Sequence, residues 1–238
     1  MKALARCVAL VALVGCACLC ACAAPPHAPT SADSQERRDA EARVASASEI
    51  LTASSRAADG ALPLAIAQSA RCLIVVPSMV QIALVVGARR GRGVASCRSA
   101  DGWSPPVFLR ASGAGAGLAI GVASIDLVLV VVSDDTARSL LRTRVELGVD
   151  TAVVAGPVGR SAQADTSPAL QRGAFSYSTA SGVFAGVSLA NLVIEHDEEA
   201  ERAYYGDTRS FGVLLRGSAA PPPSAAAFTA ALARALGQ

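Results

Sequence analysis

The spacing of apolar residues changes twice along this chain. In the N-terminal third, small or apolar side chains recur at Ala40, Val44, Ala47, Leu51, Ser54 and Ala58, three and four residues apart. That spacing predicts a helix beginning near Ser34 with one apolar stripe. Glu36, Arg37, Arg38, Asp39, Glu41 and Arg43 crowd its first turns. Pro63 opens a short second helix over 64–70. From Cys72 the period becomes two. CLIVV reads as a strand stopped by Pro77, and QIALVVGA continues it with Ile82, Leu84 and Val86 on one face. ARRGRG reads as a turn, GVASCR as the returning strand, and SADG as a second turn before WSPPVFLR. Such short links suit an antiparallel meander and cannot carry parallel crossovers.

Ser133-Asp134-Asp135 looks like a helix start, with the helix running to about Leu141. Strands follow at RVELGV, TAVVAG, GAFSYS, GVFAGVSL and NLVIEH, then a helical EEAERAYYG. Pro221 to Pro223 precede a last amphipathic helix carrying Phe228, Leu232 and Leu236. The fold expected is α+β: N-terminal helices packed on a twisted, barrel-like antiparallel β-sheet.

The stretch from Ala111 to Asp135 admits three readings. Gly113, Gly115, Gly117 and Gly121 do not fit a dinucleotide fingerprint, and no lysine follows Lys2 to complete a phosphate loop. A membrane helix would place Asp126 mid-bilayer, at a cost of about 2.5 to 3.5 kcal/mol. Strands fit better. Leu118, Ile120 and Val122 alternate with glycine and alanine, so one face is branched and the other almost bare. Asp126 then marks a break before a buried strand, DLVLVVV, and needs a donor. It is either satisfied inside the sheet or the polar group of a lipid-facing cleft.

Composition modifies this picture at the N-terminus. The chain has 238 residues, 52% hydrophobic but 4% aromatic, with mean hydropathy +0.43 and net charge +2. So small a net charge gives no footprint for nucleic acid. Lys2 and Arg6 precede an uncharged run, Cys7 to Ala24, which reads as a secretory signal over 1–22. Leu13-Val14-Gly15-Cys16 and Leu19-Cys20-Ala21-Cys22 both resemble a lipobox, in which the cysteine carries the lipid. Cys16 has the cleaner box; Cys22 has the longer apolar run before it and the polar linker after it. Alanine after either cysteine points to the bacterial outer membrane, periplasmic face. Residues 23–33 form a Pro/Ala/Ser tether, 34–217 the domain, and 218–238 a Pro-rich linker with the last helix. Cys72 and Cys97 are the cysteines of the body. An exported compartment permits a disulfide between them; each also suits a buried apolar position.

Read in order, the segments resemble the SYLF domain, a lipid-binding module of bacterial envelope proteins and eukaryotic membrane–actin adaptors. DGWSPP (Asp101–Pro106), IGVASIDLVLV (Ile120–Val130), AGPVGR (Ala155–Arg160), FSYSTASGVFAGVSL (Phe175–Leu189) and AYYG (Ala203–Gly206) carry the resemblance. It implies phospholipid binding, no enzyme activity and no cofactor. The chain departs from the pattern at Thr179, Ala180 and Ser181, where basic residues are usual, and at Ala119, Ala123 and Glu201, where amides are usual.

Candidate residues follow. Arg89, Arg90 and Arg92, at a hairpin tip, could touch anionic headgroups, each contributing about 1 kcal/mol near such a surface; otherwise they are a solvated turn. Arg160 could hold a carboxylate or a phosphate, or pair with Asp126 or Asp165. Trp103 is an interfacial anchor or a core plug. Tyr177, Tyr204 and Tyr205 are expected to pack with their hydroxyls hydrogen-bonded. His196 beside Asp197, Glu198 and Glu199 lacks the further ligands of a metal site and reads as a strand-end histidine beside solvated acids. Neither a metal nor a catalytic set is expected. The function expected is a non-enzymatic, phospholipid-binding lipoprotein of the bacterial cell envelope, anchored by palmitate or a similar acyl chain. The alternative is an envelope scaffold or protein-interaction module without lipid binding. The phospholipid membrane is the expected partner, nucleic acid is not, and no protein partner is named.

Overall fold

The structure, a computed structural model, describes residues 31–56, 62–99, 102–140, 142, 144–147, 153–155, 173–183, 191–207, 211–215 and 222–237. Its elements in order are α1 (Ser31–Arg56), α2 (Leu64–Ser69), β1 (Cys72–Ser99), β2 (Gly102–Trp103) and β3 (Val107–Val131). There follow α3 (Asp134–Leu140), β4 (Arg144–Leu147), β5 (Val153–Ala155), β6 (Ala174–Val183) and β7 (Leu192–His196). α4 (Glu198–Tyr205), α5 (Phe211–Leu215), a 3-10 turn (Pro223–Ala225) and α6 (Ala226–Ala235) complete it. The N-terminal helix packs against a curled, half-barrel-like antiparallel sheet, an α+β arrangement as expected.

Two very long strands make the curl. β1 and β3 pair antiparallel from Cys72↔Val131 to Ala95↔Val107. The ribbon bends so far that β1 meets itself: Arg98 N–H donates to the Arg71 carbonyl at 2.7 Å, and Cys72 is disulfide-bonded to Cys97. Closing a loop of 25 residues in the unfolded chain contributes about 3.5 kcal/mol of stability on the chain-entropy view. Small residues at alternate positions allow the crossing. A Cβ on Gly93 would lie 2.4 Å from the Val75 carbonyl oxygen, and one on Gly91 2.6 Å from a Val76 methyl. Gly91, Gly93, Ala95 and Cys97 thus form the bare inner stripe of β1. β3 also pairs with β6 and β7, and β4 pairs with β7; β5 joins β6 in parallel, the one departure from the antiparallel expectation among the described strands.

Each face of the ribbon has its own core. Cys72, Ile74, Val76 and Met79 of β1 meet Leu109, Ile125, Leu127 and Leu129 of β3 inside the curl. Leu73, Val75 and Val94 face outward with Phe108, Val128 and Val130, under Ala40, Val44, Ala47 and Leu51 of α1 and Phe228 and Leu232 of α6. Burial on both faces explains the unbroken apolar runs CLIVV and LVLVV.

Three sequence expectations change. Pro77 does not end a strand: the register slips between Val76 and Met79, and Ser78 adopts φ 47°. This is a β-bulge, and one inserted residue reverses which side chains face inward. Met79 and Gln81 therefore point in, and Val80 and Ile82 point out, at 45% and 50% exposure. Asp126 does not break β3 either. Its carboxylate accepts the Ser78 N–H at 2.8 Å and holds the bulge, so its donor comes from within the sheet, the first of the two readings. Finally, ARRGRG is the middle of β1, with Arg89, Arg90 and Arg92 paired to Gly113, Ser112 and Arg110.

Candidate functional site

Two features of the outer surface carry the functional argument: an ionic cluster at the start of α4 and an apolar patch on the ribbon.

The ionic cluster centres on Asp197. Its carboxylate caps α4, accepting the Ala200 N–H, and Gly206 ends that helix at φ 82°. Asp197 is fully buried, and three guanidinium groups converge on it. Arg110 reaches Oδ1 at 2.7 Å; Arg43 and Arg92 reach Oδ2 at 3.3 and 3.4 Å. Glu36 pairs with Arg92 at 3.0 Å, and Glu199 with Arg110 at 3.1 Å. Three carboxylates thus balance three arginines contributed by α1, β1, β3 and α4. Burial lowers the Arg43 pKa against the opposing pull of Asp197, and its guanidinium lies 5.3 Å from the centre of the Phe108 ring. Below it Glu201 accepts the Phe108 N–H at 3.0 Å and sits 3.3 Å from His196 Nε2. Desolvation raises the Glu201 pKa, opposed by His196 and that backbone bond. Asp197 and Glu201 are 0% and 1% exposed, so the acids beside His196 are not all solvated. The cluster ties α1 and α4 to the ribbon. It holds no nucleophile in reach of a base, and no group of three metal-ligating side chains occurs among the described residues.

The basic cluster expected at a hairpin tip is dispersed. Arg89 lies inward, 8% exposed, over the space left by Gly113, and burial lowers its pKa. Arg92 is in the ionic cluster, while Arg90 is exposed. Cys16, Cys22, Arg160 and Asp165 lie outside the described residues. Trp103 is half-buried, packed on the outer core with Arg98 5.0 Å from its ring centre. Tyr204 and Tyr205 are hydrogen-bonded to Ser224 and the Pro106 carbonyl. Tyr177 departs from expectation: its buried hydroxyl has no partner among the described residues.

The second feature is apolar. Ile82 pairs across the ribbon with Val122, which is 59% exposed, and Val80 lies one position beyond on the same face. With Leu64 these are the large exposed apolar residues among those described. Sequence reasoning missed the patch because the parity change at Pro77–Ser78 is invisible to a period-two pattern. Among the described residues no helix is long and apolar enough to cross a membrane.

Residues 112–235, more than half of the chain, match the Ysc84 family, described as Las17-binding protein actin regulator, and the chain belongs to that family. Its members are non-catalytic scaffolding and lipid-binding modules, and this chain is not an enzyme. It is 34% identical over 171 residues to LAS seventeen-binding protein 3 of Saccharomyces cerevisiae, covering 70% of this chain and 37% of the relative. Protein YSC84 of the same yeast is 35% identical over 172 residues, 71% and 36% of the two chains. SH3 domain-containing YSC84-like protein 1 of Mus musculus is 31% identical over 160 residues, 66% and 47%. The chain therefore spans less than half the length of these relatives. No solved structure matches it.

These findings correct the expected identity. The relatives are eukaryotic proteins named for Las17 binding and SH3 domains, not bacterial lipoproteins. The expected outer-membrane location, palmitate anchor and phospholipid-membrane partner fall with that reading. Physically, an Ala-, Leu- and Cys-rich run satisfies a lipobox by composition alone, as two separate matches, Leu13–Cys16 and Leu19–Cys22, attest. The arginines that were to meet headgroups are spread over two faces of one strand, and Arg92 is neutralised by Glu36 and Asp197.

Proposed function

We propose that this chain is a non-catalytic protein-interaction module in actin regulation, docking a protein partner on the Val80–Ile82–Val122 face. One observation carries the reading: these side chains stand exposed on the outer face of the ribbon in a member of a family described as actin regulators. Such a patch costs free energy in water, and its apolar area is recovered when a partner covers it. The ribbon is stiff, because both its faces are packed elsewhere and the disulfide holds its ends. Preorganisation of this kind keeps the entropic cost of docking low. The Asp126–Ser78 bond contributes by fixing the bulge that turns Val80 and Ile82 outward.

The test uses the full chain in two assays, co-sedimentation with actin filaments and calorimetric titration with Las17. Binding in either supports the reading, provided that Ile82→Ser with Val122→Ser weakens it at least tenfold while thermal stability holds. Absence of binding in both assays, or binding indifferent to the double substitution, contradicts it.

A further inference from the structure

The two ends of β1 meet beside a cleft of about 590 Å³, bordered by α3 and by Leu215 of α5. Both cysteines of the Cys72–Cys97 disulfide line this cleft, and Cys97 is the more exposed, at 6% against 1% for Cys72. The pair therefore belongs both to the inner core and to the wall of a space open to solvent.

The charge around the disulfide is one-sided. Arg71, Arg98 and Arg138 line the cleft against one carboxylate, Asp134. Arg98 donates its Nε–H to the Ala70 carbonyl at 3.2 Å and lies over the Trp103 ring; no carboxylate pairs with it among the described residues. Arg71 pairs with Asp134 at 2.9 Å and Arg138 with Asp135 at 2.8 Å, but both acids are well exposed, at 64% and 91%. Exposed pairs of this kind are weak and give way to another anion. The crossing of β1 also survives without the S–S bond, because Arg98 N–H still donates to the Arg71 carbonyl and Gly93 still packs on Val75.

We propose that the Cys72–Cys97 disulfide is a thiol-exchange site for small anionic thiols, the class to which glutathione belongs. The guest's carboxylates pair with Arg98 and Arg138, and its thiolate attacks Cys97 Sγ, the more exposed sulfur. A bond forms between the guest sulfur and Cys97 as the Cys97–Cys72 bond breaks. The electron pair leaves on Cys72 Sγ, which takes a proton from water. One disulfide replaces another, so no further oxidant or reductant is consumed. Positive surroundings favour both the arriving and the departing thiolate. The cleft volume lies within the roughly 300 to 1,000 Å³ of small-ligand sites.

The test compares glutathione (anionic), 2-mercaptoethanol (neutral) and cysteamine (cationic) as attackers of the full oxidised chain. Each rate is divided by the same thiol's rate with hydroxyethyl disulfide, which removes differences in intrinsic reactivity. Reactions are stopped with N-ethylmaleimide, which caps the freed cysteine, and the adduct is located by mass spectrometry. Trypsin separates the two sites, as Cys72–Arg89 and Gly93–Arg98. Glutathione should lead 2-mercaptoethanol by about tenfold, the lower end of electrostatic focusing in a charged cleft, with cysteamine slowest. The adduct should sit on Gly93–Arg98. High salt, or Arg98→Gln with Arg138→Gln, should bring the ratio close to one. A merely loosened fold raises all three rates together and leaves the ratio unchanged. Equal normalised rates, an adduct on Cys72–Arg89, absence of reaction, or a rate independent of thiol concentration, which marks attack on the unfolded chain only, overturns the proposal.

Discussion

Asp197→Ala is the substitution that most severely loads the latch between α1, the ribbon and α4. Two losses combine. The α4 cap disappears, which costs about 1 kcal/mol. Arg43, with only 7% of its side chain exposed, then keeps just a 3.8 Å contact to Glu36. A buried charge stripped of its main partner costs about 3 to 5 kcal/mol. Arg92 and Arg110 are 39% and 40% exposed and can turn to water, so they add little. The expected loss is about 4 to 6 kcal/mol. Urea unfolding followed by the fluorescence of Trp103, the chain's single tryptophan, measures it. With a slope of about 2 kcal/mol per molar urea, the midpoint should fall by about 2 to 3 M. Asp197→Asn separates the two terms, because asparagine caps as well as aspartate but cannot pair with arginine. It should recover about 1 kcal/mol of the loss. Adding Arg43→Met to Asp197→Asn should restore much of the remainder by removing the stranded charge. A loss below about 1 kcal/mol for Asp197→Ala, or no recovery with Arg43→Met, would refute the reasoning.

Two further substitutions test other parts of the account. Gly93→Ala pushes a methyl to 2.4 Å from the Val75 carbonyl oxygen, on rigid backbone, so the crossing of β1 on itself must open. Overpacking of this kind should cost at least about 2 kcal/mol in urea unfolding, whereas Ser112→Ala, exposed on the same ribbon, should cost under about 0.5 kcal/mol. Glu201→Gln concerns pH. Burial raises the Glu201 pKa in the folded state, so the folded chain holds this proton more tightly than the unfolded one. The wild-type contribution from Glu201 is therefore fully present below the ordinary carboxyl pKa and is lost as pH rises through the raised value. In the glutamine variant that decline should vanish from unfolding free energies measured between pH 4 and 8; an unchanged pH profile would rule out the assignment.

Much of the architecture is legible in the sequence because it rests on period. The stripe Ala40, Val44, Ala47 and Leu51 repeats at helical spacing and becomes the buried face of α1. The closing helix buries Phe228, Leu232 and Leu236 for the same reason. Where the pattern misleads, a local signal has two physical meanings. Pro77 reads as a strand end, yet a bulge accommodates proline without ending the pairing. RRGRG reads as a turn by composition, but Gly91 and Gly93 are small because another segment of backbone lies against them. Their continuation at alternate positions through Ala95 and Cys97 is the one signal by which the crossing could have been found. The buried site is harder to see. Asp197 sits in an acidic run that looks solvated, and its partners Arg43, Arg92 and Arg110 are far apart in the chain. Only the curl of the ribbon beneath α1 brings them together. The apolar patch was hidden by one inserted residue, which reverses the parity after Pro77 and turns Val80 and Ile82 to solvent.

The central claim is that this fold binds a protein through Val80, Ile82 and Val122. Its most direct measurement is co-sedimentation with actin filaments, in parallel with titration of Las17, comparing the full chain with the Ile82→Ser, Val122→Ser variant at matched stability. The account predicts saturable binding in one of the two assays and at least a tenfold loss in the variant. Equal binding by both proteins, or none by the wild-type chain in either assay, would contradict it.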